Sequence, residues 1–340
     1  MKIVLVLLAL VVLQFAFCEN ATAQAGSGCT ALVGNGCTPN AYGVTGCLGW
    51  FNCYGYSWMV LCEVMTNLCP PPDAAPETRC GCSEQKAGGP ISLSTGNTYI
   101  EEQDVSLTGL SGGLRVVRIW NSMWPSSQSA TQVGLFGPNW RSNYEERVFV
   151  GTDNYVKYAR GDGSFWSFGV GGPGWSVAAP ANAGATLIAG PSYWTLTLRN
   201  GEQRLFDNAS GHLLTILDRN GNQTQLTYDA VGRLTTVTDP VSRHLYFNYP
   251  NGSSLLVSSV TSDFGVTVSY TYDTQGRLLQ VTEPDQSTFN FQYNSNSLIS
   301  AVVDSNAKVI ESHTYDSLGR GLTSARANGV EAVTISYATQ

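Results

Sequence analysis

The chain has 340 residues, of which 13 % are charged and 11 % aromatic, with 36 glycines and a formal net charge of −7. That balance excludes a disordered chain, which is charged and poor in aromatics. It also excludes the clustered Lys and Arg that a nucleic-acid partner demands. It is the composition of an all-β protein with many turns, long enough for two or three domains.

The N-terminus reads "MKIVLVLLALVVLQFAFCENATAQAG". Lys2 is a minimal basic region, and the 15 residues from Ile3 to Phe17 form an apolar core broken only by Gln14. Ala21-Thr-Ala23 supplies the small residues of a signal-peptidase site, so cleavage is expected after Ala23, with Ala25 as the alternative. The apolar run is shorter than the roughly 20 residues of a membrane span. Phe17 stands where a lipoprotein anchor at Cys18 would need a small residue. The expectation is an exported protein, secreted or at the cell surface, with no membrane span once the signal (1–23) is removed.

The next segment (24–88) holds Cys29, Cys37, Cys47, Cys53, Cys62, Cys69, Cys80 and Cys82, and no cysteine follows. An even number packed into a short exported stretch reads as a disulfide framework. A zinc site would need C-x-x-C knuckles or nearby His, and the segment has neither, so no metal and no cofactor are expected. Eight cysteines allow about 105 pairings, and the sequence alone selects none. Trp58, Leu61, Met65 and Leu68 fall on one stripe of 3.6-residue period, which predicts one short helix. "PPPDAAPE" from Pro70 is an extended connector.

From 89 to 205 the pattern is that of short strands. "PISLSTGNTYIEEQDVSL" and "GGLRVVRIWNS" alternate apolar with polar. "NYEERVFVGTDNYVKYARGDGSFWSF" reads as three strands with turns at Gly151 and Gly161, and "GVGGPGW" and "APANAGAT" as loops.

From 206 to 340 the chain is periodic. Aromatic residues followed by a turn phrase stand at Phe206, Tyr228, Tyr249, Tyr272, Tyr293, Tyr315 and Tyr337, at spacings of 22, 21, 23, 21, 22 and 22. The fullest copies are "YDAVGRLTTVTDP", "YDTQGRLLQVTEP" and "YDSLGR". Asp-x-x-Gly is turn chemistry: the Asp accepts from its own backbone, and Gly takes the left-handed position. The strand returning to each tyrosine alternates cleanly, with Leu245 and Phe247, Val268 and Tyr270, Phe289 and Phe291, Val333 and Ile335 on the tyrosine's face. The outgoing strand does not, since Leu234 and Val237 are three apart, a spacing that a bulge or burial on both sides would accommodate. Each unit is two strands and two turns, and only stacked units bury a continuous face.

These phrases resemble the YD repeats of Rhs-family proteins and of the teneurin-like proteins that share them. Upstream, the Thr-Gly-Asn, Trp-Asn-Ser and Gly-Pro-x-Trp phrases are similar, in the same order, to the conserved domain that precedes the repeats in Rhs proteins. The resemblance runs from about Gly89 to the end. It implies an antiparallel β ribbon that spirals into a hollow shell, enclosing a toxic domain in bacterial members and serving adhesion in teneurin-like ones. The chain has fewer repeats than family shells, lacks their Asp-Pro-rich self-cleaving segment, and carries nothing toxin-like after the repeats.

The repeated residues Tyr228, Asp229, Gly232 and Arg233, Tyr272, Asp273, Gly276 and Arg277, and Tyr315, Asp316, Gly319 and Arg320 are read as turn builders rather than ligand contacts, because every copy needs the same turn. His212, His244 and His313 share no pattern that would assemble a triad. "DRNGNQT" at Asp218 lacks the distal glutamate of a calcium loop and reads as a turn. The expectation is an exported, non-catalytic structural protein, the opening part of an Rhs shell in a polymorphic-toxin or cell-surface system. Its partners would be a downstream toxin domain or further shell. The alternative is a secreted carbohydrate-binding or adhesive module that meets an envelope component or glycan. There Trp120, Trp124, Trp140, Trp166, Trp175 and Trp194 would act as stacking platforms rather than core.

Overall fold

The structure is a computed structural model. It describes residues 91–92, 95–123, 134–151, 155–171, 174–179, 183–327 and 329–337, and the backbone of four short N-terminal strands: Cys29–Ala31, Cys47–Cys53, Tyr56–Cys62 and Lys86–Ala87. The signal segment, the connector from Pro70, and Cys37, Cys69, Cys80 and Cys82 lie outside these residues. The described residues are all β apart from a single 3-10 turn at Leu110–Gly112.

The expected helix across Trp58 to Leu68 is not there over its first half. Tyr56–Cys62 is a strand, paired antiparallel with Cys47–Cys53. A short apolar run fits both periods, and the aromatic content of "YSWMV" favours a strand. The glycine stretch after Phe168 also differs from its reading as a loop. Strands Phe165–Gly171 and Gly174–Ala179 pair through it, to Gly171 opposite Gly174.

One antiparallel ribbon dominates the molecule. It runs through nineteen strands among the described residues, from Arg147–Val150 to Val330–Thr334, each paired with its neighbours in sequence. The pairing passes through strand Gln203–Asp207 without interruption, so the pre-repeat segment and the repeats share one sheet. The ribbon curls back on its own beginning. Arg147 bridges His212, and the Val148 amide donates to Gly211 O at 3.0 Å. A Cβ on Gly211 would collide with the Val148 carbonyl, and its φ is 72°, so glycine is required at this closure.

The repeat turns share one design. The Gly232 amide donates to Asp229 O at 3.0 Å and the Asp229 amide to Arg233 O at 2.9 Å, which is a type I turn followed by a left-handed residue. The same two bonds recur at Asp218, Asp239, Asp273, Glu283, Asn294, Asp304 and Asp316, so turns at both ends of the ribbon's strands share this design. The left-handed position is Gly in the Tyr-Asp turns. It is Ser242, Gln286, Ser297 and Ala307 in others, each with φ between 60° and 70°.

A bulge resolves the Leu234/Val237 spacing. Thr227 pairs Thr236 and Tyr228 pairs Leu234, leaving Thr235 as the extra residue, so Leu234 and Val237 are both buried on one face. Leu279, Ser300 and Leu322 occupy the same place in later repeats.

A second sheet of three strands, Tyr99–Leu107, Leu114–Asn121 and Trp140–Ser142, lies against the apolar face of the ribbon. One cluster of buried side chains spans both, from Ile100 and Val116 to Phe291 and Val302.

Candidate functional site: the repeat turns and the junction of the two sheets

In each full turn the aspartate is committed locally. Asp229 Oδ1 accepts from the amides of Val231 and Arg233 at 3.0 and 2.9 Å, and Arg233 Nε donates to Oδ2 at 2.7 Å. Asp273 with Arg277 and Asp316 with Arg320 repeat this at 2.6 Å. Backbone bonds from Arg233, with its guanidinium, hold the Asp229 carboxyl below the usual range. The "DRNGNQT" turn is a variant in which the Asn222 amide group replaces the guanidinium, donating to Asp218 Oδ2 at 2.7 Å. Among the described residues no cluster of His, Cys, Asp or Glu is arranged to hold a metal.

The arginine and tyrosine then link one unit to the next. Arg233 lies 4.5 Å over the Tyr249 ring, Arg277 4.7 Å over Tyr293, and Arg320 4.1 Å over Tyr337. Each tyrosine hydroxyl donates back to a backbone carbonyl 15 or 16 residues earlier: Tyr228 to Leu213, Tyr249 to Leu234, Tyr272 to Val257, Tyr293 to Leu278, Tyr315 to Ile299 and Tyr337 to Gly321, all at 2.7–2.9 Å. The sequence placed the tyrosine on the buried face but carried no sign of these carbonyl partners.

The junction is built from aromatics that meet rung by rung. Tyr144 packs on Phe247, Phe136 on Tyr270, Trp140 on Phe291 and Trp120 on Tyr315, with centroids 4.8–6.3 Å apart. At the centre, Arg118 is fully enclosed. Its Nε and Nη2 donate to Asp104 at 2.6 and 2.7 Å, Tyr270 donates to Asp104 Oδ2 at 2.6 Å, and Trp140 lies 4.8 Å from the guanidinium. Burial opposes the arginine's charge, and Asp104 beside it more than restores it. Nearby, burial raises the Glu102 carboxyl, and burial with the Asp104 charge pushes Glu283 up to about 7. Glu145 is buried too, with Oε1 accepting from the Leu135 amide at 2.8 Å.

The histidines are not brought together by any shared partner. His212 stacks on Tyr228, with its basicity lowered by burial and by Arg147. His244 Nδ1 sits 2.8 Å from Asp263 at the surface. His313 is buried on the ribbon's inner face, 3.3 Å from Glu311, and neither ring nitrogen has a hydrogen-bond partner among the described residues. Of the tryptophans, Trp120 and Trp140 are core, while Trp166 and Trp194 are half-buried against it. Trp124 and the Trp175 side chain lie outside the described residues.

Comparison with known proteins places matches on both parts of the chain. Residues 88–168 match a model described as a domain of unknown function (DUF6531), and residues 208–243 and 252–288 match the RHS Repeat. The tRNA nuclease WapA of Bacillus subtilis (strain 168) is 27 % identical over 147 residues, 43 % of this chain and 6 % of that protein. The tRNA(Glu)-specific nuclease WapA of Bacillus subtilis subsp. natto (strain BEST195) gives the same figures. The chain therefore matches only a small part of these relatives' length. Among solved structures, a TcdB2-TccC3-Cdc42 crystal structure aligns over 69 % of this chain and 12 % of that one, at 16 % identity and a TM-score of 0.27. The Tc holotoxin pore of Photorhabdus luminescens aligns over 83 % and 17 %, at 11 % identity and a TM-score of 0.28.

Proposed function

We propose that the chain, whose residues 208–243 and 252–288 match the RHS Repeat, is the opening part of an exported β shell of the Rhs/YD-repeat kind, non-catalytic in itself, in a polymorphic-toxin or cell-surface system. The observation that carries this reading is the commitment of the repeated residues. Asp229, Asp273 and Asp316 are bonded within their turns, and Arg233, Arg277 and Arg320 bridge those aspartates to the next tyrosine. A motif so engaged builds a wall and leaves no acid–base pair free for chemistry. The aromatic contacts of Phe136, Trp140 and Tyr144 support the same role, since they cover the inner face of the ribbon at Tyr270, Phe291 and Phe247. The signal-like N-terminus supports export. The WapA relatives are named as tRNA nucleases. We assign no such activity to the matched portion.

Two measurements test this. The purified chain, incubated with total tRNA, is expected to leave it intact, and cleavage lost on a single substitution would overturn the non-catalytic reading. The gene beyond the Gln340 codon is expected to continue in frame through further repeats to a distinct C-terminal domain. An immediate stop would overturn the toxin-shell reading.

A further inference from the structure

The N-terminal three-stranded sheet sets cysteines opposite one another. Its strands are Cys29–Ala31, Cys47–Cys53 and Tyr56–Cys62, with Cys47–Cys53 in the centre. The register puts Cys29 opposite Cys53 across one ladder and Cys47 opposite Cys62 across the other. Four of the eight cysteines after the signal thus occupy two directly opposed positions. Cys47 and Cys53 are six residues apart on one strand, so strand parity sets all four on the same face of the sheet.

From this juxtaposition we propose that Cys29 is bonded to Cys53 and Cys47 to Cys62. Directly opposed residues in an antiparallel pair have Cα atoms about 4.5 or 5.5 Å apart. A disulfide takes Cα separations of about 4.4–6.8 Å. Every other pairing within the set fails on distance. Six residues of strand span roughly 20 Å. That separates Cys47 from Cys53, and the same offset across a ladder separates Cys53 from Cys62 and Cys29 from Cys47. Cys29 and Cys62 lie on the two outer strands and six positions apart in register. The two bridges clamp opposite ends of the central strand, where a three-stranded sheet this short has little core of its own.

Each bridge forms when two thiols give up two protons and two electrons. A disulfide oxidant such as oxidised glutathione takes these up and leaves as two thiols.

The test is disulfide mapping on the full chain, recovered by export or refolded with oxidised glutathione. The protein is alkylated without reduction and digested with pepsin at acidic pH, where thiolate exchange is suppressed. Mass spectrometry should find peptides joining Cys29 to Cys53 and Cys47 to Cys62. Linkage of any of the four to Cys37, Cys69, Cys80 or Cys82 would overturn the assignment. So would alkylation of these four thiols in the folded chain, with or without bound zinc. As a second reading, Cys53→Ser should release one new alkylatable thiol, at Cys29, and Cys47→Ser one at Cys62. The wild-type mapping decides the matter even where a variant does not fold.

Discussion

The Tyr270 hydroxyl donates to Asp104 over 2.6 Å, joining residues 166 positions apart in the chain. Asp104 also holds Arg118 through two bonds. One carboxylate therefore ties the second sheet's own strands together and fastens them to the ribbon. Removing the two partners has unequal effects. Tyr270→Phe deletes one hydrogen bond to a charged acceptor and is expected to cost about 1.5–3 kcal/mol. Asp104→Asn leaves Arg118 buried without its counter-charge and is expected to cost about 3–5 kcal/mol. Urea denaturation of the two variants checks the order, and equal losses would contradict it.

The turns carry removable strain. Ser242 and Gln286 occupy the left-handed position at φ 62° and 70°, where the Tyr-Asp turns have glycine. A side chain there costs about 1–2 kcal/mol, and glycine gives back about half of that through its freer unfolded chain. Ser242→Gly and Gln286→Gly should each stabilise by about 0.5–1 kcal/mol. Gly232→Ala, at φ 85° and with His212 3.3 Å from the new carbon, should destabilise by a larger amount. Thermal denaturation of the three reads the opposite signs.

Glu283 makes stability depend on pH. It opens a turn like that of Asp239, but position 287 is serine, so its own turn supplies no arginine as Arg243 does for Asp239, and the charge that favours its ionised form is that of Arg118. Burial raises its carboxyl to about 7 from an ordinary 4.5. Between those values the folded chain holds a proton that the unfolded chain has released, so stability falls as pH rises through the window. Glu283→Gln should match the parent near pH 4 and exceed it above pH 7. The expected gain is on the order of 1 kcal/mol, because the half-exposed group is screened by solvent. A pH series of denaturation midpoints with constant spacing between the two proteins would refute this.

His313 is a polar substitute on an apolar rung. Leu226, Phe247, Tyr270 and Phe291 hold the same place two residues before a tyrosine. Both imidazole nitrogens are buried without a hydrogen bond among the described residues, and Nε2 has only the 3.3 Å contact with Glu311 Oε1. His313→Phe removes that penalty and keeps a flat ring beside Tyr315, so stability should rise by about 1–3 kcal/mol. His313→Ala opens a cavity and should fall below the parent. If both variants lose stability, His313 is serving its neighbours in some other way.

The ribbon was legible because its information is local. The spacing of Tyr228, Tyr249 and Tyr272, the Asp-x-x-Gly turns and the alternation of Leu245 with Phe247 all lie within one unit. Even the bulge at Thr235 announced itself through the misfit of Leu234 and Val237. The junction was not legible. Arg118 in "GLRVVRIWNS" looks like a polar residue of an alternating strand, and only Asp104, Trp140 and Tyr270, brought in from three other segments, bury it. Trp58 to Cys62 misled for the opposite reason: a short apolar run fits both periods, and the pairing of this strand with Cys47–Cys53 decides the matter.

The reach of each tyrosine back to a carbonyl 15 or 16 residues behind it gives the wall the logic of overlapping roof tiles. Every course is pinned by the tyrosine of the one laid after it. A chain emerging N-terminus first can therefore lay its courses in the order it appears.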